Sequence, residues 1–174
     1  MNIYNNKEIY DLHQTPVSLA KEIINSINWD DNENVCDPFA GDGSFYDNLP
    51  TNINKTYAEI TKGIDFRSLD YTNIDTIISN PPYDLGEDNR IRKNSFYKIL
   101  EYFSLTPVKR IIFLCSQSCF NSITPKRLKQ LHQNGLYIQK ITICNCRKWY
   151  GRFYILYMSR DVNMMVDYFI NSFD

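Results

Sequence analysis

Four consecutive residues, Asn80-Pro81-Pro82-Tyr83, combine an amide side chain, two stiff backbone units and an aromatic ring. Each proline fixes its own φ and restricts the residue before it. The tetrapeptide therefore holds the Asn80 amide and the backbone carbonyl of Pro81 in one geometry. A rigid pair of acceptors beside a stacking ring suits a planar amine. A structural turn explains Pro-Pro alone but accounts poorly for all four residues. Upstream, Asp37-Pro38-Phe39-Ala40-Gly41-Asp42-Gly43 gathers an acid, a ring and two of the chain's six glycines. Bare backbones at Gly41 and Gly43 allow a tight turn and a close approach to a ligand. The run lacks the third glycine of a dinucleotide loop, and no Gly-Lys-Ser/Thr follows for a nucleoside triphosphate. Its acid suits a cationic or amine-bearing ligand. Glu59 lies between the two motifs, where a carboxylate can accept both hydroxyls of a ribose; taken alone, it reads better as an exposed acidic strand end.

These residues need a scaffold, and the hydrophobic pattern supplies one. Thr15-Pro16 is a helix-start signal, with an N-cap hydroxyl and a first-turn proline. Leu19, Ala20, Ile23, Ile24 and Ile27 then share one helical face. Strands are predicted over 33–37, 55–60, 75–80, 110–116, 137–146 and 152–159, with a brief additional one over 63–66. An amphipathic helix is expected around 96–104, and Thr124-Pro125 starts another that runs to about His132. Strands alternating with helices predict an α/β sandwich with a mostly parallel sheet, and the two long final strands predict an antiparallel hairpin. The two chemical motifs and Glu59 then all fall at the carboxyl ends of strands, where open α/β sheets bind ligands.

The 174 residues suffice for one compact domain and are short for two. An apolar fraction of 43% with 22% charged residues excludes disorder and coiled coil. No apolar run approaches the roughly 20 residues of a membrane span, and the opening MNIYNNKEIY has no apolar core of a secretion signal. The expectation is an intracellular, cytoplasmic protein whose five cysteines are reduced. Their spacing, Cys115-x3-Cys119 and Cys144-x-Cys146, does not match a zinc ribbon, so no metal is expected. The net charge of −1 hides a segregation. Residues 1–88 carry five Lys/Arg against sixteen Asp/Glu, whereas residues 89–160 carry fourteen Lys/Arg against Glu101 alone. Such a split points to a basic face for a polyanion beside an acidic half. Arg147-Lys148-Trp149-Tyr150-Gly151-Arg152 interleaves cations with aromatic rings, a mixture that grips unstacked bases and phosphates. Arg90, Arg92 and Lys93 sit in the polar loop that follows Tyr83.

Taken together, Asp37–Gly43 and Asn80–Tyr83, with Thr15-Pro16 upstream, resemble the class I S-adenosylmethionine-dependent methyltransferases. They are most similar to the adenine methyltransferases bearing Asp-Pro-Phe-x-Gly-x-Gly and Asn-Pro-Pro-Tyr. The resemblance covers residues 13–83 and, more loosely, 109–159. It implies a Rossmann-like fold, with a mostly parallel seven-stranded sheet, a terminal antiparallel hairpin and helices on both faces. It further implies a single catalytic domain over 1–174, without a separate target-recognition domain. S-adenosylmethionine is the implied methyl donor and DNA the first implied substrate, methylated at the adenine N6 amine of a flipped-out base. Structured RNA, a protein glutamine amide and a silent partner subunit are the alternatives. Either sequence specificity is low, or residues 84–95 and 121–134 supply it, or a homodimer or a recognition subunit does. By resemblance, Thr15, Asp37 and Phe39 lie against the methionine end of the cofactor, with Gly41 and Gly43 beneath it. Glu59 holds the ribose, Ile60 and Phe66 pack on the adenine, and Asp65 accepts from its amine, with Asp70 as competitor. Asn80 and the Pro81 carbonyl accept from the target amine, Pro82 fixes the turn and Tyr83 stacks on the base. Only six positions separate Glu59 from Asp65, so the helix that usually joins the second and third strands is missing.

Overall fold

The computed structural model describes residues 14–83, 95–145 and 151–161. Its six strands are β1 (Asn34–Asp37), β2 (Asn54–Tyr57), β3 (Thr76–Ser79), β4 (Arg110–Ser116), β5 (Tyr137–Cys144) and β6 (Phe153–Ser159). They form one sheet in the order β2-β1-β3-β4-β6-β5. The first four are mutually parallel, and β6 runs antiparallel between β4 and β5. The expected hairpin is therefore present, and it returns into the sheet so that β6 sits against β4.

Alternation along the strands sorts apolar side chains to two faces. Val35, Ile78, Ile112, Leu114 and Ile155 join helix α1 (Val17–Asn25) through its buried Ala20, Ile23 and Ile24. Cys36, Ile77, Ile111, Phe113, Cys115, Leu156 and Met158 face the other way. There they meet α2 (Ser95–Ser104), through Phe96, Ile99, Leu100 and Phe103, and α4 (Pro125–Gln133), through Leu128 and Leu131. A short helix, α3 (Gln117–Asn121), follows β4 and has no counterpart among the expected elements. Cys36, Cys115 and Cys119 are buried core residues with free thiols, in keeping with their reading as small apolar side chains.

Two expectations are corrected. Residues 63–66 form no strand, so the sheet has six strands among the described residues where seven were expected. After Glu59 the chain makes two 3-10 turns, Ile60–Lys62 and Phe66–Ser68, joined by one antiparallel bridge between Glu59 and Ile64, with Gly63 in the left-handed region at φ 80°. A parallel neighbour needs a crossover of about a dozen residues; six positions only allow the chain to double back. The second correction concerns Thr15. The helix starts at Val17 with Pro16 in the N-cap position and no side-chain cap, because the Thr15 hydroxyl is engaged elsewhere. At α4 the same signal works as read, and the Thr124 hydroxyl accepts from the Arg127 amide at 3.4 Å.

Arg160 ties the far end of the molecule together. Its guanidinium donates to the carbonyls of Val108 at 2.8 Å, Asn134 at 2.8 Å and Ser104 at 3.0 Å, and also to that of Thr106. It thereby satisfies the Ser104 and Asn134 carbonyls left open where α2 and α4 end, and carbonyls of the segment that leads into β4.

Candidate active site

The strand directions bring the chemical residues to one edge. Asp37 ends β1, Ser79 ends β3 directly before Asn80, Ser116 ends β4, and Phe153, paired with Ser116, begins the antiparallel β6. Asn80–Tyr83, the glycine turn and Arg152 thus share the carboxyl edge of the parallel strands, as the sequence spacing predicts.

Asp37 is almost wholly buried, at 1% exposure. Its Oδ1 accepts from the Ser79 hydroxyl at 2.6 Å and the Phe39 amide at 3.3 Å. Its Oδ2 is buried and has no hydrogen-bond partner among the described residues. Burial pushes this carboxyl up to about 7, against the pull of the Ser79 hydroxyl and of the Phe39 and Tyr46 amides; the Glu59 charge pushes it further up. A buried acceptor without a donor is costly, and a cationic or amine-bearing ligand would satisfy it.

The same linkage predicts an inverted pH response. Between its ordinary value of 3.8 and about 7, folded Asp37 keeps a proton that the unfolded chain has released. Stability should therefore fall as pH rises through that window, by up to about 1.4 kcal/mol per pH unit. Melting temperatures measured from about pH 5 to about pH 7.5 should decline in the ligand-free protein. The Asp37→Asn variant should lose most of that slope; an equal slope in the variant would assign it to other groups.

Gly41 and Gly43 both adopt positive φ, 54° and 92°. A side chain at Gly43 would also meet the Asp47 carboxylate, whereas at Gly41 it would enter open space. The turn is closed by the Gly43 amide donating to the Ala40 carbonyl at 2.7 Å. Glu59, 8% exposed and two residues past β2, clamps it: its Oε2 accepts from the Gly41 amide at 2.7 Å. Its Oε1 accepts from the Thr61 amide at 2.9 Å and hydroxyl at 2.7 Å. Glu59 is thus a buried organiser of the turn and not merely an exposed strand end. Ile60 beside it is 37% exposed, an apolar side chain presented to solvent.

Phe39 meets Phe66 with ring centroids 4.8 Å apart, and Tyr102 stands edge-on to Phe66 at 5.3 Å. This contact joins the Asp65-Phe66 segment to the glycine motif. The Asp65 carboxylate is bracketed by Arg67, with backbone amide and guanidinium donors at 2.7–3.2 Å, and the Arg67 hydrogen bond holds its carboxyl below the usual range. Asp70 is exposed, and its Oδ1 is committed to the Thr72 amide at 2.9 Å and hydroxyl at 2.6 Å. Asp65 adjoins Phe66 and Asp70 adjoins Tyr71, and both of those rings stand edge-on to Tyr102.

Asn80 is held between two hydroxyls. Its Nδ2 donates to Thr15 Oγ1 at 3.2 Å, and its Oδ1 accepts from the Tyr83 hydroxyl at 3.1 Å. Pro81 is buried, while Pro82 and Tyr83 are partly buried, and the Tyr83 ring packs on the core cluster that includes Cys115 and Cys119. Ser44, at the end of the glycine turn, donates its hydroxyl to the Thr15 carbonyl at 2.6 Å. Sequence reasoning missed Ser79, Ser44, Arg67 and Tyr102. Ser79 had a signal, a hydroxyl at the end of an otherwise apolar strand; the others meet the motifs only in three dimensions. Arg90, Arg92, Lys93, Arg147, Lys148, Trp149 and Tyr150 lie outside the described residues.

The cations of the second half divide in two. Arg110 pairs with Glu33, Lys109 with Asp75, Arg160 serves backbone carbonyls, and Arg127 lies over the Tyr97 ring at 4.7 Å. Lys98, Lys126, Lys129, Lys140 and Arg152 are exposed. Part of the positive charge is therefore structural, and less of it is available to a polyanion than the residue count implies. No helix among the described residues is long and apolar enough to cross a membrane.

No protein-family model matches this chain, and no curated protein matches it. Solved structures share its fold. The Mtq2–Trm112 complex from E. cuniculi, responsible for methylation of the eRF1 translation termination factor, aligns at TM-score 0.57 and 15% identity, over 84% of this chain and 96% of that one. Magnesium protoporphyrin IX methyltransferase from Synechocystis, with bound S-adenosylmethionine, aligns at 0.60 and 16%, over 92% and 88%. A modification subunit of a putative type I restriction enzyme from Vibrio vulnificus aligns at 0.55 and 12%, over 84% of this chain but only 44% of that one. The fold is that of the class I methyltransferases, an α/β Rossmann-like sheet with a closing antiparallel pair.

Proposed function

We propose that this chain is an S-adenosylmethionine-dependent methyltransferase that acts on the N6 amine of adenine in DNA, with residues 1–174 as its catalytic domain. The carrying observation is Asn80, whose amide is fixed at the carboxyl edge of the sheet beside the Asp37–Gly43 turn. The fold supports the methyltransferase class. The Asn80–Tyr83 tetrapeptide supports a planar amine, and the exposed Lys98, Lys126, Lys129 and Arg152 support a nucleic acid.

The residues present fit the cofactor. Asp37 Oδ2, without a partner among the described residues, suits an amino group, open space over Gly41 leaves room for a ligand against the backbone, and Glu59 would accept a ribose hydroxyl on the Oε2 lone pair that the Gly41 amide leaves open. Ile60, Phe39 and Phe66 offer apolar surface to an adenine, and Asp65 an acceptor. Thr15 lines the same edge. When bound, S-adenosylmethionine supplies an electrophilic methyl group.

The protein's task is to make a poor nucleophile react. The lone pair of an adenine amine is delocalised into the ring. Asn80 Oδ1 and the Pro81 carbonyl accept its two hydrogens and draw the nitrogen toward tetrahedral geometry, which frees the lone pair. Neither group is a base, and the proton shed by the methylated nitrogen passes to solvent water. Such positioning is worth several kcal/mol of barrier, up to roughly 7–11 for ideal alignment. Pro82 keeps the turn rigid, and Tyr83 offers the aromatic surface on which the flipped base would rest. Arg90, Arg92, Lys93, Arg147, Lys148, Trp149, Tyr150 and Arg152 would grip the strand around it, and a second copy or a recognition subunit would add sequence choice.

Labelled S-adenosylmethionine should deliver its methyl group to double- or single-stranded DNA at low salt, with N6-methyladenine recovered on nucleoside digestion. Label found only on structured RNA or only on protein would keep the chemistry and overturn the substrate. No label on any of these acceptors would overturn the proposal.

A further inference from the structure

Asn80 can accept from a target amine only if its amide is the right way round. An amide is planar and carries its donor and acceptor on opposite sides of one bond, so a half-turn replaces Oδ1 by Nδ2 and abolishes the function. Rigid prolines fix the backbone of Asn80 but not this torsion. Something else must choose the orientation.

We propose that Thr15 is a positioning residue that sets the Asn80 amide, and that it does so as part of a hydrogen-bonded line running from the glycine turn to Tyr83. This inference rests on the function proposed above and deepens it. Thr15 is 6% exposed and leaves its helix uncapped, so its hydroxyl is not explained by helix formation. Its Oγ1 accepts from Asn80 Nδ2 at 3.2 Å, across 65 positions of sequence. With Nδ2 committed to Thr15, Oδ1 lies on the other side of the amide, where the Tyr83 hydroxyl donates to it at 3.1 Å. A carbonyl oxygen has two lone pairs, so Oδ1 can serve Tyr83 and a target amine together, and the Tyr83 donor polarises it. Thr15 is itself anchored. Its carbonyl accepts from the buried Ser44 hydroxyl at 2.6 Å, and the Asp42 carboxylate lies 2.8 Å from the same hydroxyl and accepts from the Ser44 amide at 3.1 Å. The residues that would cradle the methyl donor and the residue that would hold the acceptor are thus one rigid unit, which is the requirement for an aligned transfer.

The test compares Thr15→Val, which keeps the shape and removes the acceptor, with Thr15→Ser, which keeps the acceptor. Thr15→Ala serves if the valine variant fails to fold. In the acceptorless variant kcat should fall by on the order of 10–100-fold, the loss expected of a misplaced reactive group. The loss should persist at saturating S-adenosylmethionine and DNA, whatever the change in KM, and Thr15→Ser should recover most of the rate. A purely structural Thr15 would instead lower the melting temperature and leave kcat of the folded fraction intact. A second readout does not depend on activity: hydrogen exchange at the Asn80 side-chain amide, assigned in NMR spectra by its disappearance in Asn80→Asp. Exchange should be slow in the wild type and Thr15→Ser and fast in Thr15→Val. Unchanged exchange in Thr15→Val would overturn the role of Thr15 even if the enzyme is active. A wild type that methylates nothing would overturn the proposed function while the exchange data still judge the hydrogen bond.

Discussion

Asn80→Ala should reduce methyl transfer by on the order of 10²–10³-fold, with the loss in kcat, while the affinity for S-adenosylmethionine stays close to that of the wild type. The magnitude is that of one preorganised polar group aimed at charge that develops only in the transition state. Here the charge is positive, on the amine nitrogen, and the group is an acceptor. Asn80 should contribute little to cofactor affinity because the turn is organised by other residues: Glu59 holds the Gly41 amide and Ser79 holds Asp37. Single-turnover rates with saturating cofactor, beside a direct binding titration, separate the two quantities. A variant that keeps more than about a tenth of the rate would remove Asn80 from the reacting centre. A variant that loses cofactor binding in parallel would make it a structural residue of the turn.

The largest effect on stability is expected at the opposite edge of the sheet. Glu33, 6% exposed, receives the Arg110 guanidinium on both carboxylate oxygens, at 2.6 and 2.8 Å, and also the Thr76 hydroxyl. Arg110 in turn donates to the Thr76 hydroxyl and the Asn28 carbonyl and lies over the Trp29 ring. The network joins the start of β1 to β3 and β4, which pair only through short registers. Removing one member leaves a charge with its donors or acceptors unmet, at a cost of about 3–5 kcal/mol for a fully buried pair. The Arg110 side chain is one-third exposed, so Glu33→Ala should fall near 3 kcal/mol, or a drop of roughly 6–12 °C in melting temperature for a chain of this size. Removing both charges, as Glu33→Gln with Arg110→Met, should cost less than the two single changes together, since the pair is coupled. Additive losses would show that the two residues act separately.

The opposite fates of two Thr-Pro dipeptides show where local reading ends. Thr124 caps its helix as the pattern predicts, while the Thr15 hydroxyl, with the same local signal, accepts instead from the Asn80 amide. Nothing within a few residues of Thr15 distinguishes them. The competing partner is 65 positions away and arrives only when β3 lies beside β1 in the sheet. Residues 63–66 show the reverse case. Their apolar pattern reads as a strand, yet the short count from Glu59 to Asp65, also plain in the sequence, forbids the crossover a parallel strand requires. The charge split was legible too, but not its use: Arg110 and Arg160 are cations of the basic half that serve the fold.

By itself, the order of residues determined the alternation of strands and helices, the closing hairpin, and the placement of Asp37–Gly43, Glu59 and Asn80–Tyr83 at strand ends. These follow from periodicity and from the conformational limits of glycine and proline, which act over a few bonds. Tertiary structure alone decided that Glu59 clamps the glycine turn, that Asp37 keeps one oxygen without a partner among the described residues, and that Asn80 is gripped between Thr15 and Tyr83. Those outcomes depend on which groups lose their water and which donors then stand within about 3 Å, and that is set by packing across the sheet and not by neighbours along the chain.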